Sequence, residues 1–315
     1  MIYTVCGCIK GEQMGKTLSH EHFKWEVDED KTGGMYFEQL YDEAENQVLI
    51  EKMLPFMMAL KSAGCGSIVE ASPPFGGQNL RVLKSLSEIS GVHIIPCTGM
   101  NLTKYSHHLF GDCYIEVLSK RWIQDFEEGL EKIGDTVIRP GYMKLLNKRG
   151  MLCDVDRDML TAAAIASNKT GMPIHCHILE AVHVQASLDV VKAQGTPLSK
   201  FVWAHADHDA DLDVIQSVID QGGWVGFDSI HEDNYVTERD LIKHAIANGY
   251  EHQILLSQDY DIYEESLKSD GINRYTSLLE KFVPFCIEGG IDEKKLEEIL
   301  TVNPSKFYDI SIVRN

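Results

Sequence analysis

The sequence predicts an α/β protein of the (β/α)8 barrel class, also called the TIM barrel. Its 315 residues are a normal length for one such barrel. Short apolar runs alternate with stretches of helical periodicity, which is typical of βαβ units and a parallel sheet. Eight such runs favour closure into a barrel over an open sheet. The first strand–helix turns also lack the G-x-G-x-x-G pattern of dinucleotide-binding folds.

Eight predicted strands make up this sheet. Each is a short apolar run bounded by polar or glycine-containing residues. In chain order, the predicted strands 1 to 8 are Thr17–His20, Ser67–Ala71, His93–Thr98, Gly141–Leu145, Pro173–His177, Phe201–His205, Trp224–Asp228 and Ile254–Ser257.

Helical periodicity fills the segments between the strands. Apolar residues recur there at i, i+3 and i+4, the spacing of one helix face. No low-complexity segment or Pro/Gly-rich linker divides the chain, so residues 1–315 are interpreted as a single domain. The clearest predicted helices are Gln47–Leu54, Leu80–Leu86, Asp211–Gln221 and Glu293–Leu300.

Composition excludes several classes of function. A formal net charge of −19 repels phosphate backbones, which counts against a nucleic-acid or anionic-membrane partner and favours a small-molecule substrate. No run approaches the roughly 18 apolar residues that a membrane span needs. The segment Met1–Val5 does not resemble a secretory signal. Eight cysteines without a C-x-x-C pair indicate free thiols, so we expect a cytoplasmic protein.

Titratable side chains cluster at the carboxyl ends of the predicted strands. These ends converge on one face of a barrel, where the active site lies. In an H-x-H pair, residues i and i+2 point to the same side of a strand, so two imidazoles can approach one ion. A lone H-x-H pair is weak evidence, but histidines or carboxylates at four strand ends predict a metal site. The strand-end residues are His20 and His22 (strand 1), Lys144 (strand 4), His175 and His177 (strand 5), His205 (strand 6) and Asp259 (strand 8).

Lys144 is the unusual member of this set, because an ammonium group has donors but no acceptor. Carbamylation by CO2 would convert its nitrogen into an anionic carbamate, whose two oxygens could bridge two metal ions. The alternative is that Lys144 stays an ammonium and pairs with Asp259.

Taken together, the motifs resemble one family over nearly the whole chain. A Val-x-Gly segment followed by T-x-x-H-E-H opens the family pattern, and later blocks recur in order. The chain therefore resembles the phosphotriesterase-like branch of the amidohydrolase superfamily. The matching blocks are Val5–Gly7, Thr17–His22, Val92–Gly99, Gly171–His177, His205–Asp207, Ile254–Asp259 and Asn303–Pro304.

The resemblance implies a binuclear hydrolase. It implies that His20, His22 and Asp259 bind the more buried of two divalent ions, and that His175 and His205 bind the more exposed one. The carbamylated lysine and a hydroxide would bridge the pair. Asp259 would accept the proton of the nucleophile. Zinc is the expected metal, with manganese, iron or cobalt able to substitute, and the resemblance also suggests a homodimer.

Two departures bear on the substrate. Organophosphate-cleaving members carry an Asp-His pair after strand 7, where this chain has Asp228–Ser229, and a tryptophan of their leaving-group pocket is replaced by Asn101. We therefore expect a lactonase, with phosphotriesterase as an alternative. An acyl-homoserine lactonase needs an apolar channel, and the loop Tyr260–Asp270 is polar. A non-catalytic metal-binding barrel is the alternative from another class, against which the intact ligand set argues.

Further residues are candidates for substrate binding. Loops after strands 7 and 8 often bind phosphate in barrels, so Lys243 and Arg274 are predicted to hold a phosphorylated sugar lactone. Tyr105 and His177 are predicted to line the pocket.

Other polar residues near the strand ends have two open interpretations. His107 and His108 could line the pocket or lie on the surface. Asp207 and His208 could support the metal site or face solvent. Of the carboxylates, Glu21 is interpreted as structural and Glu70 as an internal ion-pair partner.

Overall fold

All eight predicted strands form in the computed structural model, which describes residues 1–25, 42–74, 76–101, 114–147 and 152–310. Neighbouring strands pair in parallel, as the alternation with helices predicts. The predicted α/β barrel class is confirmed. Barrel strands 1 to 8 are Lys16–Glu21, Cys65–Glu70, His93–Ile95 with Cys97–Asn101, Tyr142–Leu146, Ile174–His177, Phe201–Ala204, Trp224–Phe227 and Ile254–Leu256.

Strand 3 is interrupted, whereas the sequence predicts one continuous strand. Pro96 separates its two segments, because proline has no N–H to donate to a neighbouring strand. The first segment pairs with strand 2 and the second with strand 4. The sheet therefore changes neighbours at Pro96, giving one group of strands 1 to 3 and one of strands 3 to 8.

Backbone hydrogen bonds also join strand 8 to strand 1. The N–H of Asp259 donates to the carbonyl of His20 (3.2 Å), and the N–H of His22 donates to the carbonyl of Tyr260 (2.8 Å). His22 and Asp261 form an isolated parallel bridge. The two ends of the strand order thus meet beside three of the predicted metal ligands.

Helices cover the outside of the barrel, and the four predicted ones all form, most of them longer than predicted. Three-residue 3-10 turns and a π-helical segment, Leu278–Phe282, occur between them. No described helix combines the length and hydropathy that a membrane span requires. The α-helices are Glu43–Ser62, Leu80–Ser90, Tyr114–Glu127, Asp154–Thr170, Val184–Ala193, Ala206–Asp209, Leu212–Asp220, Tyr235–Asn248, Ile262–Glu265, Gly271–Tyr275, Val283–Glu288 and Glu293–Phe307.

The remaining strands lie outside the barrel and form two antiparallel hairpins. Ile2–Thr4 pairs with Gly7–Ile9, and Glu131–Ile133 pairs with Thr136–Ile138. The 3-10 turns are Gly11–Gln13, Ala181–His183, Leu198–Lys200 and Glu251–Gln253.

Two hydrophobic clusters follow from the alternation of side chains along each strand. The larger cluster packs strand residues such as Leu18 and Met143 against the surrounding helices. The smaller cluster contains strand residues whose side chains point to the other face of the sheet, such as Val69 and Tyr142, together with Tyr308 at the end of the last helix. Tyr308 thus packs among strand residues beneath the strand ends that carry the predicted ligands.

Gly99 lets strand 3 approach strand 4 at the level of Lys144. Its φ is +127°, and a Cβ built on it would lie 1.9 Å from the backbone oxygen of Lys144. A side chain here would both strain the backbone and displace the strand that carries the lysine.

We expect Gly99→Ala to lower the free energy of unfolding by about 2–4 kcal/mol, from backbone strain plus steric overlap. Gly195→Ala is the matched control, because Gly195 has φ +75° but nothing within 4 Å of a built Cβ. The control should lose about 1–2 kcal/mol from the left-handed backbone alone. Urea unfolding of both variants measures the difference, and equal losses would contradict the close approach.

Candidate metal centre

The carboxyl ends of strands 1 and 8 bring two histidines and one carboxylate together. Oδ1 of Asp259 lies 3.4 Å from Nε2 of His20 and 3.2 Å from Nε2 of His22. The ligand atoms of these three residues all lie within 4.8 Å of one another. Imidazole nitrogens and a carboxylate oxygen at this spacing suit a divalent ion such as zinc.

Strands 4, 5 and 6 add the other predicted ligands to the same cluster. Lys144 and His175 are register partners on adjacent strands, and Nζ of Lys144 lies 2.5 Å from Nε2 of His20. The rings of His175 and His205 each lie 4.8 Å from the ring of His20, centroid to centroid. Nε2 of His205 is 3.8 Å from Oδ2 of Asp259. All six predicted ligand residues therefore converge.

The position of Lys144 also bears on the alternative that it pairs with Asp259 as an ammonium. No ion pair among the described residues joins these two side chains, and the lysine nitrogen instead contacts an imidazole. Burial lowers the pKa of Lys144, which raises the fraction of neutral amine. Neutral amine is the form that reacts with CO2, so the site suits carbamylation.

Several buried atoms at the centre of this cluster have no hydrogen-bond partner within the described structure. They are Nε2 of His175, Nε2 of His205 and Oδ1 of Asp259. Leaving a buried polar group unpaired costs about 1–3 kcal/mol. Bound metal ions would satisfy all three atoms at once, so the residues present fit a metal centre.

Each of the four histidines is held through its other ring nitrogen. Metal-binding histidines commonly donate this second nitrogen to a carboxylate, carbonyl or hydroxyl, which fixes the ring orientation. The Nε2 atoms are thereby left facing the centre. The contacts of Nδ1 are His20 with Asp228 (2.9 Å), His22 with Ser72 (2.8 Å), His175 with Tyr308 (3.1 Å) and His205 with Asp228 (2.7 Å).

Asp228 is the principal residue that the sequence analysis missed. It ends strand 7, is buried, and also accepts a hydrogen bond from the backbone N–H of His205 at 2.9 Å. Burial opposes its ionisation, but His205 and His20 outweigh that effect and hold the pKa of Asp228 well below its usual value. The sequence signal that could have identified it is its place at a strand end, which it shares with the other site residues.

Protonation at the other ligands is also set by burial. Burial lowers the pKa of His175 to about 4 and holds that of His20 well below its usual value, so both rings are neutral near pH 7. Burial alone would lower the pKa of His205, but the Asp228 carboxylate outweighs it and raises that pKa. The neutral rings of His20 and His175 have the form that metal binding requires.

Two of the ligand residues have left-handed backbone conformations. The φ angles are +64° at His205 and +53° at Asp259. This conformation costs roughly 1–2 kcal/mol for a residue with a side chain. Such strain is tolerated where the surrounding contacts hold the residue in place, which is common at functional sites.

Two buried glutamates connect the loops around the centre. Glu21 accepts hydrogen bonds from the Ser257 hydroxyl (2.7 Å) and from the backbone N–H of Gln258 (3.0 Å). Glu70 accepts from the backbone N–H of Phe23 (3.1 Å) and that of Ser72 (2.8 Å). Among the described residues Glu70 makes no ion pair, and its carboxylate binds these backbone amides instead.

The predicted substrate-binding residues lie in different surroundings. The ring of His177 is 4.2 Å from that of His205, so this residue lies beside the ligands. Nε of Arg274 donates to Glu265 (3.0 Å), and the guanidinium lies 5.3 Å from the ring centroid of Tyr260, the residue after Asp259. Half-buried Lys243 belongs to the helix after strand 7, and no contact of the described residues joins it to Arg274.

The remaining candidates complete this picture. Asp207 accepts a hydrogen bond from the backbone N–H of Ser229 (2.7 Å), and Nε2 of His208 lies 3.0 Å from the Ser229 hydroxyl. Both contacts support the loop beside His205. Tyr105, His107, His108 and the side chain of Asn101 lie outside the described residues.

Comparison with known proteins agrees with the geometry. A protein named phosphotriesterase homology protein in Escherichia coli (strain K12) is 26% identical over 256 residues, covering 80% of this chain and 86% of that protein. The aryldialkylphosphatase of Saccharolobus solfataricus is 23% identical, covering 95% of this chain and 96% of the relative. The N-acetyltaurine hydrolase of Xenopus tropicalis is 25% identical, covering 97% of each chain.

The family comparison covers the barrel and all six converging ligand residues. The Phosphotriesterase family matches residues 1–308. Its members are metal-dependent TIM-barrel hydrolases, in keeping with the eight parallel strands and the cluster of histidines and aspartates described above. The chain is a hydrolase that belongs to the phosphotriesterase family.

Proposed function

We propose that this hydrolase is a binuclear lactonase, which adds water to the carbonyl carbon of a cyclic ester and releases a hydroxy acid. The main support for this proposal is the convergence of four Nε2 atoms, one carboxylate and one buried lysine. Several of these buried atoms have no hydrogen-bond partner among the described residues. Relatives named N-acetyltaurine hydrolase support chemistry at a carbonyl carbon. The Asp228–Ser229 sequence departs from the organophosphate-cleaving pattern and counts against a phosphotriester as the main substrate.

Two divalent ions, with zinc the proposed metal, would be held by the six converging residues. His20, His22 and Asp259 would hold one ion, and His175 with His205 the other. Carbamylated Lys144 would contact both. Bound there, the ions would supply an activated water and polarise the substrate carbonyl.

The chain's own residues then perform the proton transfers. Asp259 has a buried carboxylate oxygen without a hydrogen-bond partner among the described residues, and the surrounding histidines, led by His20, outweigh the effect of burial and lower its pKa. The ionised carboxylate accepts the proton that water loses as it attacks, and then donates it to the leaving alkoxide. Asp228 holds His20 and His205 in place, and His177 lines the substrate side of the centre.

A phosphate-bearing sugar lactone is the proposed substrate. A net charge of −19 disfavours anions at long range, so an anionic substrate needs a local cation. Arg274 uses Nε for Glu265, and its terminal nitrogens form no hydrogen bond with the described residues, so they could donate to a phosphate. Lys243 and Tyr105 stay predictions as further substrate contacts, and so does the homodimer.

A substrate panel tests the proposal. Metal-reconstituted enzyme should hydrolyse simple lactones, and should hydrolyse a phosphorylated sugar lactone with higher kcat/KM than its unphosphorylated counterpart. A chelator should abolish the activity and added zinc should restore it. Faster hydrolysis of an acyl-homoserine lactone or an aryl phosphotriester would favour those alternatives, and faster cleavage of N-acetyltaurine would favour an amidase. No hydrolysis at all would support the non-catalytic barrel.

The catalytic base can be tested by Asp259→Asn. This change keeps the shape of the side chain but removes its basicity and weakens a metal contact, so turnover should fall by about 10²–10⁴-fold. Asp261→Asn is the control, because this carboxylate of the same loop accepts hydrogen bonds from the backbone N–H groups of Trp25 and Glu264 and, among the described residues, from no predicted ligand. Equal kcat values for the Asp259 variant and the wild type at every pH would assign the proton to another group.

The phosphate contact can be tested by Arg274→Met. Losing a charged hydrogen bond worth roughly 1.5–3 kcal/mol should lower kcat/KM for the phosphorylated lactone by about one to two decades, mainly through KM. The unphosphorylated lactone and the metal content should be unaffected. Lys268→Met is the matched control, because Lys268 pairs with the same Glu265. If both lactones lose activity equally, or neither does, Arg274 does not bind phosphate.

A further inference from the structure

The hydroxyl of Tyr308 lies at the inner side of the metal centre. Tyr308 follows the last helix, Glu293–Phe307, and is fully buried. Its ring packs against Tyr142, with centroids 5.5 Å apart. The oxygen lies 3.2 Å from the carbonyl oxygen of Ser19 and 3.1 Å from Nδ1 of His175. One phenol therefore contacts both the strand 1 backbone and the strand 5 ligand.

The direction of these two hydrogen bonds follows from the groups involved. A carbonyl oxygen only accepts, and a phenol has one O–H to donate. The O–H of Tyr308 therefore points to Ser19, and its oxygen accepts a hydrogen bond from Nδ1–H of His175. This arrangement puts the imidazole proton on Nδ1 and leaves a lone pair on Nε2, the atom at the centre of the site that has no hydrogen-bond partner in the described part of the chain.

A competing tautomer of His175 would be unable to bind metal through Nε2. Oδ2 of Asp228 lies 3.9 Å from that nitrogen, so an Nε2–H proton would face a carboxylate. Asp228 holds His20 and His205 by Nδ1 but approaches His175 from the metal side. His175 therefore needs a different partner at Nδ1, and Tyr308 is that partner.

We propose that Tyr308 is a positioning residue for the metal centre, whose hydroxyl selects the metal-binding tautomer of His175. This inference rests on the proposed metal centre and adds a role for the segment after the last helix. The ion held by His175 and His205 depends on this hydrogen bond more strongly than does the ion held by the ligands at the ends of strands 1 and 8.

The experiment compares Tyr308→Phe with Tyr142→Phe. Both variants keep the aromatic ring and lose one buried hydroxyl, but the hydroxyl of Tyr142 donates to the carbonyl of Glu70 and to no metal ligand. Zn²⁺ affinity is measured on metal-free protein by competition with a chelator. We expect Tyr308→Phe to weaken the second ion by about 10–100-fold, as for other residues that orient metal ligands, and Tyr142→Phe to bind both ions like the wild type.

A second measurement uses only wild-type protein, so it does not require that a variant folds. In metal-free wild-type protein labelled with 15N-histidine, the nitrogen shifts of His175 should report a proton on Nδ1. A proton on Nε2 would overturn the inference, and so would equal Zn²⁺ affinities of the two variants. Wild-type protein that binds no Zn²⁺ would refute the metal centre itself, whereas wild-type protein that binds two ions with Tyr308→Phe unchanged refutes only the role of Tyr308.

Discussion

The contact of the buried Asp228 carboxylate with the rings of His20 and His205 is the interaction on which the site depends. It joins the ends of strands 1, 6 and 7 through one buried carboxylate, at 2.9 and 2.7 Å. Because both contacts use Nδ1, both Nε2 atoms are left on the side of Asp259. An ionised carboxylate would be costly to bury alone, and its contacts with the imidazoles offset that cost. The orientation of the ligands is thus built into the barrel before any ion binds.

The same geometry leaves the barrel with a local instability that a metal would relieve. His205 and Asp259 have left-handed backbones, and each contributes a buried atom at the centre that has no hydrogen-bond partner among the residues that the structure describes. Glu21 and Glu70 tie the adjoining loops to backbone amides, and burial raises the pKa of each to about 8. Strain and unpaired groups concentrated at one place are typical of a functional site that the surrounding fold holds in position. Ion binding therefore contributes to the stability of this region as well as to its chemistry.

The strands and most of the converging ligand residues could be predicted from the sequence, for physical reasons. Strand and helix periodicities are local signals, so all eight strands could be located, and the convergence of parallel strand ends then brought distant histidines together. The interruption of strand 3 at Pro96 could have been inferred from the chemistry of proline, but the sequence analysis did not predict it. The contacts of Asp228 with His20 and of Tyr308 with His175 could not be predicted from periodicity, because each joins residues more than a hundred positions apart in the sequence. The pairing of Arg274 with Glu265 depends on how one loop folds, which periodicity does not determine.

We propose that this barrel holds two ions bridged by a modified lysine. The most direct measurement combines metal analysis of purified, zinc-reconstituted protein with a crystal structure that shows the density at Lys144. We expect two ions per chain and a carbamate on Nζ of Lys144, and the loss of at least one ion in Lys144→Ala. A single bound ion beside an unmodified Lys144 that contacts no metal would contradict it.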